Sequence, residues 1–91
     1  MAWKVELSPA AEKDLDKLDR QWARRILAFL HERIALADDP RAFGAALTGE
    51  RFGEFWKYRV GDYRIVARIE DGVLRVLVVR IGHRREIYRS G

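Results

Sequence analysis

Apolar residues recur with two different periods along the chain, and together they predict a mixed fold. Near the start, Trp3, Val5 and Leu7 alternate with charged residues, which is typical of a strand with one apolar face. Ser8 and Pro9 then suit the cap and first turn of a helix. The following apolar positions have helical spacing and predict two buried helical stripes, formed by Ala11, Leu15, Leu18 and Trp22, and by Trp22, Ile26, Phe29, Leu30 and Ile34.

The second half of the chain returns to the period of a strand. Residues 41–53 are predicted to form an irregular loop anchored by Leu47, and three strands follow at Phe55–Val60, Tyr63–Glu70 and residues 73–81. The order is a strand, a two-helix hairpin and a three-stranded antiparallel meander. It predicts a single α+β domain over residues 1–91, with the helices packed on one face of a mainly antiparallel sheet.

Two tight turns assign the strand residues to the two faces of this sheet. Gly61-Asp62 suits a type II′ hairpin and Asp71-Gly72 a type I′ hairpin, so that Arg59 opposes Arg64 and Arg68 opposes Arg75. Directly opposed residues share a face. The predicted core face carries Trp56, Tyr58, Val60, Tyr63, Ile65, Ala67, Ile69, Leu74, Val76 and Val78. The outer face carries Lys57, Arg59, Arg64, Arg68 and Arg75 around Val66, Leu77 and Val79.

Charge makes the outer face the candidate site. Residues 1–50 hold eight Lys and Arg against nine Asp and Glu, a balance of −1, whereas residues 51–91 hold ten against five, a balance of +5. Such a basic half favours a polyanionic partner, either nucleic acid or an acidic protein segment. The chain has no cysteine and only two histidines. We therefore expect no disulfide, no thiol catalysis, no metal site and no cofactor.

Other conspicuous residues have structural explanations. Trp3, Trp22, Trp56 and Tyr58 are expected in the core, and Tyr63 falls on the core face by turn parity. His31 lies off the apolar stripe of the second helix and is expected at the surface. The acidic helix residues Asp14, Asp16 and Asp19 are expected to be solvated. No apolar run approaches the roughly 20 residues of a membrane span, and no signal peptide is evident, so we expect a cytoplasmic protein.

Two motifs in the second half resemble one known family. A hairpin with the sequence Trp56-Lys57-Tyr58-Arg59-Val60-Gly61-Asp62-Tyr63-Arg64 precedes a tail with the sequence Gly82-His83-Arg84-Arg85-Glu86-Ile87-Tyr88-Arg89. Their combination resembles the RelE/ParE toxin superfamily, and the opening strand and helical hairpin extend the resemblance to nearly the whole chain. The tail is more similar to the RelE branch.

The resemblance implies a toxin of a type II toxin–antitoxin pair. RelE-type members cleave mRNA in the A site of the 70S ribosome, and a RelB-like antitoxin neutralises them. Operator DNA is contacted only indirectly, through the antitoxin. Two alternatives stay open at this point: a ParE-type inhibitor of DNA gyrase, and a non-catalytic module whose basic face docks an acidic peptide.

The resemblance also implies roles for individual residues. RelE-type toxins place a lysine before the hairpin, an arginine after it, an arginine beyond the last strand and a C-terminal tyrosine. The matching residues are Lys57 as base or phosphate anchor, Arg64 as transition-state clamp, Arg84 as proton donor or leaving-group stabiliser, and Tyr88 as the residue that stacks on or orients the substrate. Phe55 stands where some members carry a second lysine.

A histidine and five further arginines of this half complete the predicted site. His83 is an alternative proton-transfer group, because an imidazole exchanges protons near neutral pH. Contacts to the RNA backbone are expected from arginines, which position the substrate without specifying its sequence. These are Arg59, Arg68, Arg75, Arg85 and Arg89.

Overall fold

The computed structural model describes residues 3–47 and 55–86 of the chain, and their elements follow the predicted order. In chain order they are β1 (Lys4–Leu7), α1 (Pro9–Asp16), α2 (Arg20–Phe29), a π-helical turn (Leu30–Ile34), a 3₁₀ turn (Pro40–Phe43), β2 (Ala45–Ala46), β3 (Phe55–Val60), β4 (Tyr63–Glu70), a second 3₁₀ turn (Asp71–Val73) and β5 (Arg75–His83). The strands form one sheet in the order β1-β5-β4-β3-β2. Strands β1 and β5 are parallel, and the other neighbours are antiparallel. The α+β prediction is confirmed.

The core lies between the helices and the predicted core face of the sheet. Its buried helical residues are Ala11, Ile26, Leu30 and Ile34, and its buried strand residues are Tyr58, Ile65, Ala67, Val76, Val78 and Ile81. Trp3 is buried with them, and Trp56 and Tyr63 are partly buried against the cluster. His31 is exposed, as predicted. The helices therefore cover one face of the sheet, and the opposite face is the outer face predicted above.

The first tight turn has the predicted geometry. Gly61 has a φ of +59°, and Asp62 does not share this left-handed conformation, which together match a type II′ turn. A Cβ added to Gly61 would lie 2.5 Å from the Trp22 ring. Arg59 opposes Arg64 and Lys57 opposes Val66, so this register is confirmed.

The second turn differs from the prediction. In place of a two-residue turn, the chain makes the 3₁₀ turn Asp71–Val73 and then places Leu74 in a left-handed conformation with a φ of 49°. The longer turn shifts the register by two residues, so that Arg75 opposes Glu70 and no longer opposes Arg68. An ion pair thereby replaces two opposed like charges, which disfavour pairing. Because the shift is even, both faces keep their residues except Leu74, which leaves the core and is 38% exposed.

Strand β5 extends to His83, two residues beyond the predicted end, and contains a bulge. Ala67 opposes Val78 and its neighbour Val66 opposes Arg80, so Val79 is the extra residue. Past a bulge, the alternation of faces is inverted relative to simple parity. His83 is therefore brought opposite Tyr63, on the helix-covered side.

The predicted loop before β3 contains structure that its sequence does not signal. Ala45–Ala46 forms a two-residue strand on the edge of β3, too short to show a period. Leu47 anchors this segment as predicted, because its side chain is buried and its N–H donates to the Phe55 carbonyl at 3.0 Å. Residues 48–54 lie outside the described part of the chain.

Candidate functional site

Basic residues of β3 and β4 come together on the outer face. Arg59 lies directly opposite Arg64, and Lys57 lies on the same strand two residues before Arg59. Residues in such a diagonal relation, like Lys57 and Arg64, are about 7–8 Å apart, within reach of one phosphate group. Arg68 is exposed further along the same face of β4. We define the open region as Lys57, Arg59 and Arg64.

Lys57 occupies a gap between small apolar neighbours. It faces Val66 across one ladder and Ala45 across the other. The Lys57 side chain is half-buried, and its ammonium group makes no ion pair or hydrogen bond in the described part of the chain. An ammonium group without a carboxylate partner is available to a ligand anion.

Arg64 is oriented by the hairpin turn that precedes it. Its Nη1 donates to the carbonyl oxygens of Gly61 and Tyr63, both at 3.1 Å. Its neighbour on β5 is Gly82, which has no side chain to block access from that direction. Both hydrogen bonds use Nη1, so Nε and Nη2 can still donate to a planar anion.

Arg84 is fixed to the same hairpin turn. Its N–H donates to the Asp62 carbonyl at 2.8 Å, and its Nε lies 3.9 Å from the Asp62 carboxylate. The Arg84 side chain is about half exposed, at 52%. Asp62 thus joins the turn of the hairpin to the turn after β5. Sequence reasoning gave Asp62 a role in the turn only, since the partner that it contacts lies 22 residues away.

His83 is not brought together with Lys57 and Arg64. Its ring packs edge-on against Tyr63, with the ring centres 5.8 Å apart, on the helix-covered side of the sheet. Its Nδ1 accepts a hydrogen bond from the Arg85 N–H at 3.2 Å. Arg85 itself is exposed. The predicted site residues Tyr88 and Arg89 lie outside the described residues.

Arg75 belongs to a different environment on the outer face. Its guanidinium contacts the carboxylates of Glu70 and Glu6, with the Glu6 contact at 3.4 Å. Hydrogen bonding to both carboxylates raises the pKa of Arg75, and the Arg75 hydrogen bond lowers the pKa of Glu70. We define the paired region as Glu6, Glu70 and Arg75. Its charges are compensated within the described part of the chain, which distinguishes Arg75 from Lys57 and Arg64.

Arg80 and Asp14 form a further ion pair that the sequence did not reveal. By register Arg80 faces the outer side beside Val66, but its guanidinium contacts the Asp14 carboxylate with Nε–Oδ2 and Nη2–Oδ1 distances of 2.8 and 3.3 Å. Asp14 Oδ2 also accepts from the Ile81 N–H at 2.9 Å. The Asp14 side chain is only 13% exposed, so the predicted solvated position is wrong. The pair fixes the end of β5 to α1.

Two general features of the described residues complete the picture. Within residues 3–47 and 55–86, no group of three or more His, Cys, Asp or Glu side chains is arranged to hold a metal ion. None of the helices in this part is both long enough and apolar enough to cross a membrane.

Comparisons with known proteins agree on one family. Residues 5–88 match the model of the ParE toxin of the type II toxin–antitoxin system parDE. The toxin RelG of Mycobacterium tuberculosis is 37% identical, with 98% of this chain and 99% of that toxin covered. The toxin RelE of the same organism is 32% identical, with 93% and 84% covered.

A solved structure has the same fold. The toxin–antitoxin complex RelBE2 from Mycobacterium tuberculosis contains a chain that superimposes with a TM-score of 0.84 at 26% identity, over 94% of this chain and 95% of that one. The sequence and structural agreement shows that this chain belongs to the RelE/ParE family of type II toxins.

Proposed function

We propose that the protein is a ribosome-dependent mRNA endonuclease that cleaves RNA without a metal ion. In this reaction the ribose 2′-OH attacks the adjacent phosphate and loses its proton to a base. The bond to the 5′-oxygen breaks, and that oxygen receives a proton. The products are a 2′,3′-cyclic phosphate and a 5′-hydroxyl. The step needs a proton acceptor, positive charge beside the phosphorane oxygens, and a proton donor.

The observation that carries this proposal is the open region. Lys57 and Arg64 share one face, make no contact with a carboxylate among the described residues, and lie close enough to engage one phosphate. Arg41, Arg75 and Arg80 are each held by carboxylates. Lys57 and Arg64 therefore leave positive charge available at two positions that match the family motif.

Each residue of the site has a role that its chemistry supports. Lys57 is the base or the phosphate anchor, and Arg64 donates from its planar fork to the phosphorane oxygens. Arg84, beside the hairpin turn, stabilises or protonates the leaving oxygen. Arg59 and Arg85 are exposed and contact the RNA backbone. Tyr88 is proposed, from the family motif alone, to stack on or orient the substrate.

The relatives support the biological setting of this reaction. Two curated relatives are named toxins, and the solved RelBE2 structure is a toxin–antitoxin complex. We accordingly propose a RelB-like antitoxin as the partner that neutralises this chain, with operator DNA bound only through that antitoxin. The site of action would be the cytoplasm, where mRNA and ribosomes meet.

The test is to add the protein to translating ribosomes and map the 5′ ends of the mRNA. Wild-type protein should produce cuts within A-site codons. Lys57→Ala should lower the cleavage rate by roughly 100-fold or more, in the range for loss of a general acid or base. Lys4→Ala is the matched control, because Lys4 lies on the outer face of β1, beside Arg75.

Two other outcomes would reject the proposal. An uncut message together with trapped gyrase–DNA cleavage complexes would identify a gyrase inhibitor, the activity implied by the ParE branch. An uncut message with normal growth after expression would leave a non-catalytic module that binds an acidic partner.

A further inference from the structure

Three backbone N–H groups fix the turn after β5. Two of them donate to backbone carbonyls and the third donates to a side chain. The Arg84 N–H donates to the Asp62 carbonyl at 2.8 Å, and the Glu86 N–H donates to the His83 carbonyl at 2.9 Å. Between them, the Arg85 N–H donates to His83 Nδ1 at 3.2 Å. The consecutive N–H groups of residues 84–86 are thus all satisfied.

The imidazole of His83 contacts both the Tyr63 ring and the backbone N–H of Arg85. The Tyr63 ring packs against it edge-on, at an interplanar angle of 82°, and Tyr63 in turn packs against Trp22 with ring centres 5.1 Å apart. Because Nδ1 accepts a hydrogen bond, the neutral ring carries its proton on Nε2. Protonation of Nδ1 would remove the acceptor and break the contact with Arg85.

The location of His83 separates it from the reacting groups of the proposed site. It lines a cleft of about 470 Å³ between the end of α1 and the end of β5. The other ionisable side chains that line the same cleft are Asp14 of α1, Lys17 just after α1, Tyr63 of β4, Arg80 of β5 and Glu86. Lys57 and Arg64 project from the opposite face, and the strand alternation that separates them from His83 is set by the bulge at Val79.

We infer that His83 is a positioning residue that fixes the backbone of Arg84 and Arg85 for catalysis, and that it is not the group that transfers the proton. This inference rests on the proposed endonuclease function. Its physical basis is that a displacement of about 1 Å at a reacting group can lower a rate by roughly 100-fold. Asp62 holds one side of the turn and His83 the other, so Arg84 starts from a defined position beside the hairpin.

Two substitutions separate positioning from proton transfer. His83→Asn keeps an acceptor for the N–H two residues further on, as in an Asx turn, but it cannot exchange a proton near neutral pH. His83→Phe keeps the aromatic contact with Tyr63 and removes the acceptor. We expect His83→Asn to retain kcat within about threefold of wild type, and His83→Phe to lower kcat by roughly 10- to 100-fold with little change in KM.

The pH profile of kcat/KM gives a second activity readout. It should keep its shape in His83→Asn, because the proton-transfer group is still present. Suppose instead that His83→Asn loses as much activity as His83→Phe, and that the pH profile of kcat/KM loses its inflection near neutral pH. His83 would then transfer the proton, and the inference would be overturned. Wild-type kcat in His83→Phe would also overturn it.

A measurement without RNA distinguishes failure of this inference from failure of the proposed function. Amide hydrogen exchange of Arg85 in the free chain should be slow in wild type and His83→Asn and faster in His83→Phe. Unchanged exchange in His83→Phe would overturn the role of Nδ1, whether or not the protein cleaves mRNA. If the exchange rates of Arg85 follow this pattern but the protein cuts no mRNA, His83 still fixes the turn through Nδ1, and the proposed endonuclease function is rejected.

Discussion

The two regions of the outer face both contain basic residues, but they differ in how those charges are balanced. In the paired region, Arg75 lies between the carboxylates of Glu6 and Glu70. In the open region, Lys57 and Arg59 have no side-chain partner among the described residues, and Arg64 bonds only to carbonyl oxygens. The comparison separates an arginine that the fold already pairs with carboxylates from basic residues whose charge it leaves uncompensated, and it is the second group that we propose as the RNA-binding site.

The largest expected effect contrasts one arginine from each region. Arg64→Ala should lower the cleavage rate by roughly 100- to 1000-fold, which is typical for loss of a donor to transition-state charge. Arg75→Ala should leave the rate close to wild type, since its guanidinium is held by Glu6 and Glu70. Single-turnover cleavage on ribosome complexes provides the rates, and equally large losses in both variants would remove the distinction between the regions.

Turn chemistry explains why the open region could be predicted from the sequence. Gly61 supplies the positive φ that a type II′ turn needs, and this single turn sets which face Lys57 and Arg64 share. The register predicted after the second turn was wrong by two residues, but an even shift leaves each paired residue on its predicted face. Arginines that the fold pairs with carboxylates could still not be distinguished from those that it leaves unpaired. Glu6 is 69 residues from Arg75 in the chain, and Glu70 faces Arg75 only in the register that the longer second turn produces.

The position of His83 shows where the alternation of residues along the sequence no longer predicts which face of the sheet a side chain occupies. Neither Val79 nor its immediate neighbours are glycine or proline, so the sequence carries no signal for a bulge at this position. The bulge lies where β1 ends, and past Val78 the edge of β5 is bonded by Ser8, which caps α1, and by Asp14 of α1. The Ser8 hydroxyl donates to the Val79 carbonyl at 3.0 Å, and Asp14 accepts from the Ile81 N–H. These tertiary contacts have no local sequence pattern.

A second prediction concerns the stability of the end of β5. Asp14→Ala should lower the free energy of unfolding by about 1–3 kcal/mol, because it leaves the Ile81 N–H and the Arg80 guanidinium without their acceptor. Asp16→Ala on the same helix is the matched control and should stay within about 0.5 kcal/mol of wild type, since Asp16 is exposed. Urea denaturation measures both values. Equal stability of the two variants would show that the Asp14 contacts contribute nothing.

The smallest expected effect is a pH dependence at Asp71. Hydrogen bonding by Arg41 lowers the pKa of Asp71 below its usual value of 3.8. A carboxylate with a lower pKa in the folded state stabilises the protein above its usual pKa, and this stabilisation is lost as the pH falls through the folded-state value. Asp71→Asn should therefore be slightly less stable than wild type at pH 7.

The difference between Asp71→Asn and wild type should narrow as the pH falls below about 4. Urea midpoints at low salt, measured at pH 7 and pH 3, provide the comparison. Asp16→Asn is the matched control, because Asp16 is exposed and makes no ion pair in the described part of the chain. If the stability difference between Asp71→Asn and wild type grew towards acid pH, it would contradict the assignment of the Arg41–Asp71 ion pair.

The most direct test of the open region is an NMR titration of the free chain with a short RNA whose riboses are 2′-O-methylated and so cannot attack the phosphate. Side-chain resonances of Lys57, Arg59 and Arg64 should shift as the RNA is added, while those of Arg75 stay in place. Shifts at Arg75 that match or exceed those of Lys57 and Arg64 would contradict the claim that uncompensated charge on β3 and β4 forms the RNA-binding site.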